Sequence, residues 1–252
     1  MRSTEAHAIP ILVSTHGSVG DGQLAQAICA IERIMWRHRI DGSARMRISS
    51  APCADGPMLV QVNLDFGTMP VRAQAVGPGR FATTFAAERL DRILAGVTAG
   101  AQRPRWPDPQ RPQLALPTEL RPIVRRKVCA LSSATVAEAT AVLEAMDYDV
   151  HLFTDAETEM DAVVYRAGPR GVRLARQHRL GPPASMEPLA LTVNPYPTAF
   201  LSAYEAADRL CRYGLPFLFY TDPSDDRGRL LYRRYDGDLA LIAPAESTET
   251  ER

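Results

Sequence analysis

Lysine is nearly missing from this chain of 252 residues: Lys127 is the only one, so almost all positive charge is guanidinium. Arginine's planar fork suits phosphate, although a genome biased toward arginine codons accounts for the same excess. Long apolar runs are missing too. None approaches the roughly 20 residues of a membrane span, and Met1–His7 holds an acid and no apolar stretch, so neither a span nor a secretory signal is expected. Cysteines are few and scattered: Cys29, Cys53, Cys129 and Cys211 form no Cys-x-x-Cys pair. That spacing argues against zinc and against a secreted disulfide framework, and points to reduced thiols used mostly in packing and to a cytoplasmic location. G-x-S-x-G, H-E-x-x-H and any paired Cys/His constellation are missing, so no catalytic motif, metal site or cofactor site is read from the residues.

Hydrophobic residues make up 46% and charged residues 23%, ordinary for a soluble chain that buries a core. The net charge of zero hides an asymmetry. Residues 1–112 hold thirteen arginines against nine acids, so the rest of the chain is acidic by the same excess. A basic half joined to an acidic half implies that only the first half faces a polyanion.

The second half repeats itself at an offset of 67 residues without a gap. Glu138-Ala139 falls on Glu205-Ala206, Thr154-Asp155 on Thr221-Asp222, Tyr165-Arg166 on Tyr232-Arg233 and Leu174 on Leu241. This marks a duplicated module, copy 1 over residues 119–180 and copy 2 over 186–246, each reading β-α-β-β-β. In copy 1, Ser132 and Ser133 are cap candidates for a helix with Val136, Ala139, Val142, Leu143 and Met146 on one face. In copy 2 the helix is expected from Ala199 to Tyr213, ended by Gly214. So small a module has one sheet face uncovered and needs a partner surface.

Residues 1–98 form a different module, β-α-β-β-β-α. Leu24, Ala27, Ile28, Ile31, Ile34 and Met35 make the apolar face of its first helix, with Arg33 and Arg37 on the opposite side. Leu59, Gln61, Asn63 and Asp65 alternate with Val60, Val62, Leu64 and Phe66, so one sheet face is wet. The fold class is therefore α+β, with two helices on one face of a four-stranded sheet, followed by two tandem small domains. Residues 99–118 carry five prolines with Arg103, Arg105 and Arg111, a semi-extended linker.

Two sets of residues are candidates for function. Ile11–Gly22 reads strand, glycine-rich loop, helix, a layout that cradles phosphate, with His16 as a possible phosphoryl acceptor. The three closely connected strands that follow fit an antiparallel meander rather than the doubly wound sheet of phosphohistidine carriers, and favour a plain turn. The second set is arginine: Arg33, Arg37, Arg39, Arg45, Arg47, Arg72, Arg80, Arg89 and Arg92, with Arg33, Arg37, Arg89 and Arg92 expected on exposed helix surfaces. Such a band can follow a phosphate backbone; solvated helix faces partly neutralised by Glu32, Glu88 and Asp91 explain the charge equally well. Asp155 and Asp222 read as turn caps, because the acids around them lack the glycine and terminal glutamate of a calcium loop. Arg166 and Arg233, ending strands, read as structural.

Phe153, Asp155-Ala156-Glu157-Thr158 and Val163-Val164-Tyr165-Arg166, following Ile123–Lys127 and the helix with Glu138-Ala139, resemble the C-terminal domain of long-form ribosome hibernation-promoting factors. The N-terminal element order, with Arg89-Leu90-Asp91-Arg92 in its second helix, is similar to that family's ribosome-binding domain. The resemblance implies that the N-terminal domain enters the mRNA and tRNA channel of the 30S subunit, touching 16S rRNA and small-subunit proteins. It implies that translation stops by steric occupancy, with no enzyme chemistry, and that idle 70S ribosomes are preserved under stress or dormancy. A transcription-linked regulator is the rival within this resemblance, and a His16 carrier the rival outside it. Two departures stand out. Leu94–Gly100 lacks the family's basic tail, which leaves Arg103, Arg105 and Arg111 of the linker to contribute. The second C-terminal copy is extra, and it is expected to pair with the first as a pseudo-dimer through Phe153, Val164, Tyr165, Tyr220, Leu231 and Tyr232. The chain would then be a monomer that makes no 100S ribosome dimers.

Overall fold

The computed structural model describes residues 10–50, 57–79, 81–99, 116–167, 171–178, 181–184, 191–234 and 237–245. They fall into two compact units, an N-terminal domain and a larger C-terminal one.

The N-terminal sheet contains β1 (Ile11–His16), β2 (Ala44–Ser50), β3 (Pro57–Phe66) and β4 (Met69–Pro78) in that spatial order, β1 parallel to β2 and the rest an antiparallel meander. Alternation fixes its faces. Met46, Ile48, Val60, Val62, Val71 and Ala73 point to one side and are buried there. Against that side pack α1 (Asp21–Arg37), through Ala27, Ile31, Ile34 and Met35, and α2 (Phe81–Thr98), through Ala82, Ala86, Leu90 and Leu94. The β1–α1 turn depends on Gly17, at φ +77°. A Cβ there would lie 2.5 Å from Ser50 Oγ, so no other residue fits without movement.

The C-terminal unit holds the repeat. Copy 1 contributes β5 (Ile123–Cys129), β6 (Ser133–Ala134), α3 (Val136–Ala145), β7 (Val150–Asp155), β8 (Asp161–Arg166) and β9 (Val172–Arg176). Copy 2 contributes β10 (Leu191–Val193), α4 (Ala203–Arg212), β11 (Phe217–Asp222), β12 (Arg227–Arg233) and β13 (Leu239–Pro244). The copies do not form separate sheets. One sheet runs β10-β9-β8-β7-β6 and the other β11-β12-β13-β5. Each copy gives its first strand to the other: β5 lies parallel to β13, and β10 lies parallel to β9. The exchange is reciprocal in register, Arg126 opposite Leu241 and Val193 opposite Leu174.

Each sheet carries one helix on its outer face, and a shared apolar layer joins the inner faces. Leu152, Val163, Ala175, Phe219 and Leu230 are buried in that layer, flanked by Tyr165 and Phe217, whose rings meet edge to face at 5.1 Å. This corrects the pairing surface expected from sequence. Phe153 and Val164 pack in the core that includes α3's Ala139 and Leu143, and Tyr220 and Leu231 in the core that includes α4's Ala206 and Leu210. Tyr165 lies in the shared layer, and Tyr232 shares a strand face with Leu230, its ring under Lys127 Nζ at 5.9 Å. The error is a shift of one residue. Strands covered on both sides are apolar on both sides, so alternation gives no sign of which face meets a helix.

Two helix starts also move. Thr135, not Ser132 or Ser133, caps α3: its hydroxyl accepts from Glu138 N, while its own N–H donates to Glu138 Oε2 at 2.8 Å. Ser133 instead pairs with Thr154. In copy 2, residues 199–202 precede the helix. Phe200 bridges to Thr221, and Ser202 forms the matching box with Glu205. The Ser-x-x-Glu signature marks that start more reliably than the apolar run before it. Of the three described cysteines only Cys211 is buried; Cys29 lies off the apolar stripe of α1 and Cys129 ends an edge strand, and both are exposed. Cys53 lies outside the described residues.

Candidate nucleic-acid interface

The helix-free face of the N-terminal sheet is a polar platform built by strand register. Arg45 stands opposite Asn63, and Asn63 opposite Arg72; one rung on, Arg47 stands opposite Gln61, and Gln61 opposite Gln74. Strands lie ~4.8 Å apart, so Arg45 and Arg72 are held about 10 Å apart across one rung. Arg45 and Arg47 are exposed. The Arg72 guanidinium donates to the Gln74 amide oxygen, and the Gln61 amide to Asn63 Oδ1 at 3.4 Å, which orders the side chains. Ser14 and Leu12 of β1, opposite Arg47 and Arg45, extend both rungs to the edge.

The remaining arginines lie on the other side, because the helices cover the opposite sheet face. Arg33, Arg37 and Arg39 are exposed on and just beyond α1. Asp91 binds this group: its carboxylate accepts from Arg37 at 2.9 Å and meets His38 Nε2 at 2.7 Å. Arg92 donates to the Glu88 carbonyl at 3.4 Å. Between Arg33 and Arg37 stands Trp36, 69% exposed, an aromatic beside two guanidinium groups. Trp36 is not among the residues expected at the interface, although its place off the stripe of Ile31, Ile34 and Met35 signals exposure.

The expected continuous band is therefore two surfaces, with the sheet-face trio Arg45, Arg47 and Arg72 separated from the helix-face group by the core. Arg89 belongs to neither. It is 4% exposed, because it follows Ala86 by three residues and adjoins Leu90, on the edge of the buried stripe. Arg80, Arg103, Arg105 and Arg111 lie outside the described residues.

The other candidates resolve into structure. His16 is exposed at the end of edge strand β1, and the first turn of α1 beyond it carries Asp21, an acid where phosphate would meet the helix dipole. Asp155 accepts from Glu157 N at 2.9 Å and Asp222 from Ser224 N at 3.0 Å. Arg166 Nε donates to the Tyr148 carbonyl, and its counterpart Arg233 Nε to that of Leu215. Among the described residues no cluster of His, Cys, Asp or Glu fits a metal ion, and no helix is long and apolar enough to cross a membrane.

Comparison with known proteins then places the chain. Residues 118–174, β5 to β9 of copy 1, match the family described as the C terminus of sigma 54 modulation/S30EA ribosomal proteins. A dormancy associated translation inhibitor from Mycobacterium tuberculosis, in strains CDC 1551 / Oshkosh and H37Rv alike, is 48% identical over 244 residues. The alignment takes in 93% of this chain and 88% of the relative. This chain belongs to the hibernation-promoting factor family. The family match ends before copy 2, whereas the M. tuberculosis alignment takes in most of the chain.

Proposed function

We propose that this family member inhibits translation by seating its N-terminal domain in the mRNA and tRNA channel of the 30S subunit, and that it preserves single 70S ribosomes. The name and extent of the M. tuberculosis relative support inhibition. The arginines support rRNA as the contact: Arg45, Arg47 and Arg72 on the sheet, and Arg33, Arg37 and Arg39 on α1, give the domain two faces for phosphate, as a plug between two walls of rRNA needs. No chemistry is required, since occupancy excludes mRNA and tRNA. Arg80, Arg92, Arg103, Arg105 and Arg111 complete the proposed rRNA-binding set.

The observation that carries the single-ribosome reading is the reciprocal exchange of β5 and β10. The surface that a lone C-terminal domain would offer to a second molecule is here occupied within one chain. The protein is accordingly a monomer in this reading.

Sedimentation with purified ribosomes tests it. The protein is expected to travel with 30S and 70S particles at low salt and to leave them as salt rises, losing roughly tenfold in affinity for every two phosphates engaged over a fourfold salt increase. Replacing Arg45, Arg47 and Arg72 by Ala should weaken binding and flatten that slope. Abundant 100S particles bridged by the protein would sink the single-ribosome reading, and failure to bind ribosomes at low salt would sink the whole.

A further inference from the structure

The sheet carrying α4 ends at β5, and two adjoining cavities of about 450 Å³ and about 250 Å³ open between that strand and α4. Arg121 and Tyr204 line the first, Lys127, Arg229, Asp222 and Ala243 the second, and Arg126 both. Strand register explains the space. On the α3 face of the other sheet, Ala162 pairs with Arg176, whose buried side chain places its donors on Asp155, Glu157 and the Gly181 carbonyl. On the α4 face the two residue types are reversed. Leu230 pairs with Ile242, so the next rung sets Arg229 on β12 against Ala243 on β13. Arg229 turns to Asp222 and Asp225, and the small Ala243 leaves a gap beside β5.

The 67-residue offset supplies an internal control. Arg126, Lys127, Tyr204, Tyr220 and Arg229 correspond to Val193, Asn194, Ala137, Phe153 and Ala162. The twin is built without counterparts of Arg126, Lys127, the Tyr204 ring and the Tyr220 hydroxyl, so the fold does not require them, whereas Arg229 has a structural partner in Asp222. Of the residues lining the groove, Arg121 has a buried Nε with no hydrogen-bond partner; Tyr220, in the rung of Arg229 but fully buried behind the lining, has an unpartnered hydroxyl as well. Such groups are costly to leave unsatisfied. Burial, with Asp222 nearby, pushes the Tyr220 phenol up to about 12, so it keeps its proton as a donor. The charges of Arg126 and Arg229 oppose that shift. Tyr204 is 69% exposed at the rim.

We propose that this groove binds the backbone of single-stranded RNA, with Arg121 and Arg126 on phosphate oxygens and the Tyr204 ring stacked under a base. Guanidinium forks match phosphate, and an exposed flat ring beside them matches a nucleobase better than an acidic peptide, which has no face to stack. That the anion is RNA rests on the ribosomal reading above; that the groove takes an anion rests on its own residues.

The test uses the full chain, a fluorescent 12-nucleotide single-stranded RNA carrying 4-thiouridine, and the variant R126V/Y204A, in which each residue is replaced by its copy 1 or β10 counterpart. The variant should bind at least fivefold more weakly, with a salt slope lower by about 0.7 for each phosphate it no longer neutralises. Cross-links in the unaltered protein should map to the peptide holding Tyr204. Tyr220→Phe alone should leave binding unchanged and the thermal midpoint equal or higher, because it removes an unsatisfied hydroxyl that the groove does not present. Unchanged affinity and slope in R126V/Y204A, cross-links confined to other peptides, or a poly-glutamate peptide that outcompetes RNA for the groove would each overturn the proposal. Ribosome sedimentation of the same proteins separates the two readings: a groove variant that binds RNA normally sinks only the groove, whereas an unaltered protein that ignores ribosomes sinks the ribosomal role.

Discussion

The two C-terminal copies share a backbone plan and differ in where they keep their charge. Thr135 with Glu138 and Ser202 with Glu205 form the same capping box. Asp147 and Gly214 follow their helices at φ +53° and +57°, and Glu159 and Asp226 turn their hairpins at +57° and +56°. Against these repeated devices stands one rearrangement. The aspartate after the first hairpin strand pairs with Arg176 of β9 in copy 1, at 2.7 Å, and with Arg229 of β12 in copy 2, at 2.8 Å. The first pair is sealed, with side chains 0% and 1% exposed; the second is partly hydrated at 15% and 18%. Caps and turns set the path of the chain, so they recur. A charge pair needs only a partner within reach, so its strand is free to change, and the change decides whether the sheet end is filled or hollow.

The largest expected effect breaks the sealed pair. Arg176→Ala strands a buried carboxylate on Asp155 and should cost about 3–5 kcal/mol, while Arg229→Ala, with Asp222 partly hydrated, should cost roughly 1 kcal/mol or less; denaturant unfolding of both variants measures the gap, and equal losses would erase the distinction between the copies. Next comes the layer they share. Leu230→Ala opens a cavity between the sheets and should cost about 2–5 kcal/mol, in the same range as Leu231→Ala on the helix side. A far smaller value for Leu230 would mean that the sheets are not joined there. The caps should then behave alike: Thr135→Ala and Ser202→Ala are each expected to lose about 1 kcal/mol, and a loss at only one site would show that the boxes differ in use.

The smallest effect is on acid stability. Hydrogen bonds from Thr135 and Ser202 hold the Glu138 and Glu205 carboxyls below the usual carboxylate range. Each contribution is complete above the unfolded carboxylate pKa and is lost as pH falls through the depressed folded value. Glu138→Gln and Glu205→Gln, which retain a capping acceptor, should each reduce the acid sensitivity of unfolding by a similar amount, as pH-dependent melting curves would show.

Much of this architecture is legible in the sequence. The β-α-β-β-β-α order follows from alternation in Leu59–Phe66 and the helical stripe of Leu24–Met35, where one wet face gives a clear period. The repeat follows from Thr-Asp and Tyr-Arg held in register. What escapes has a physical cause each time. β6 and β10, two and three residues long, have no period to detect. The strand exchange leaves no mark, because β5 presents the same residues to either sheet, and only the spatial path of the chain chooses between them. At the candidate interface, residue type is legible but placement is not: Arg89 looks like its neighbour Arg92 and proves buried, and Trp36 draws no notice for want of a charge.

The pairing of β5 with β13 has a consequence for how the molecule is made. Ile123 and Leu239 are register partners separated by over a hundred residues of chain, and Leu239 N donates to the Pro122 carbonyl. At roughly 5–20 residues per second of synthesis, β5 emerges on the order of ten seconds before the strand it needs. The nascent C-terminal unit therefore cannot close until β13 has left the exit tunnel, so a product terminated before that strand would lack a finished C-terminal unit.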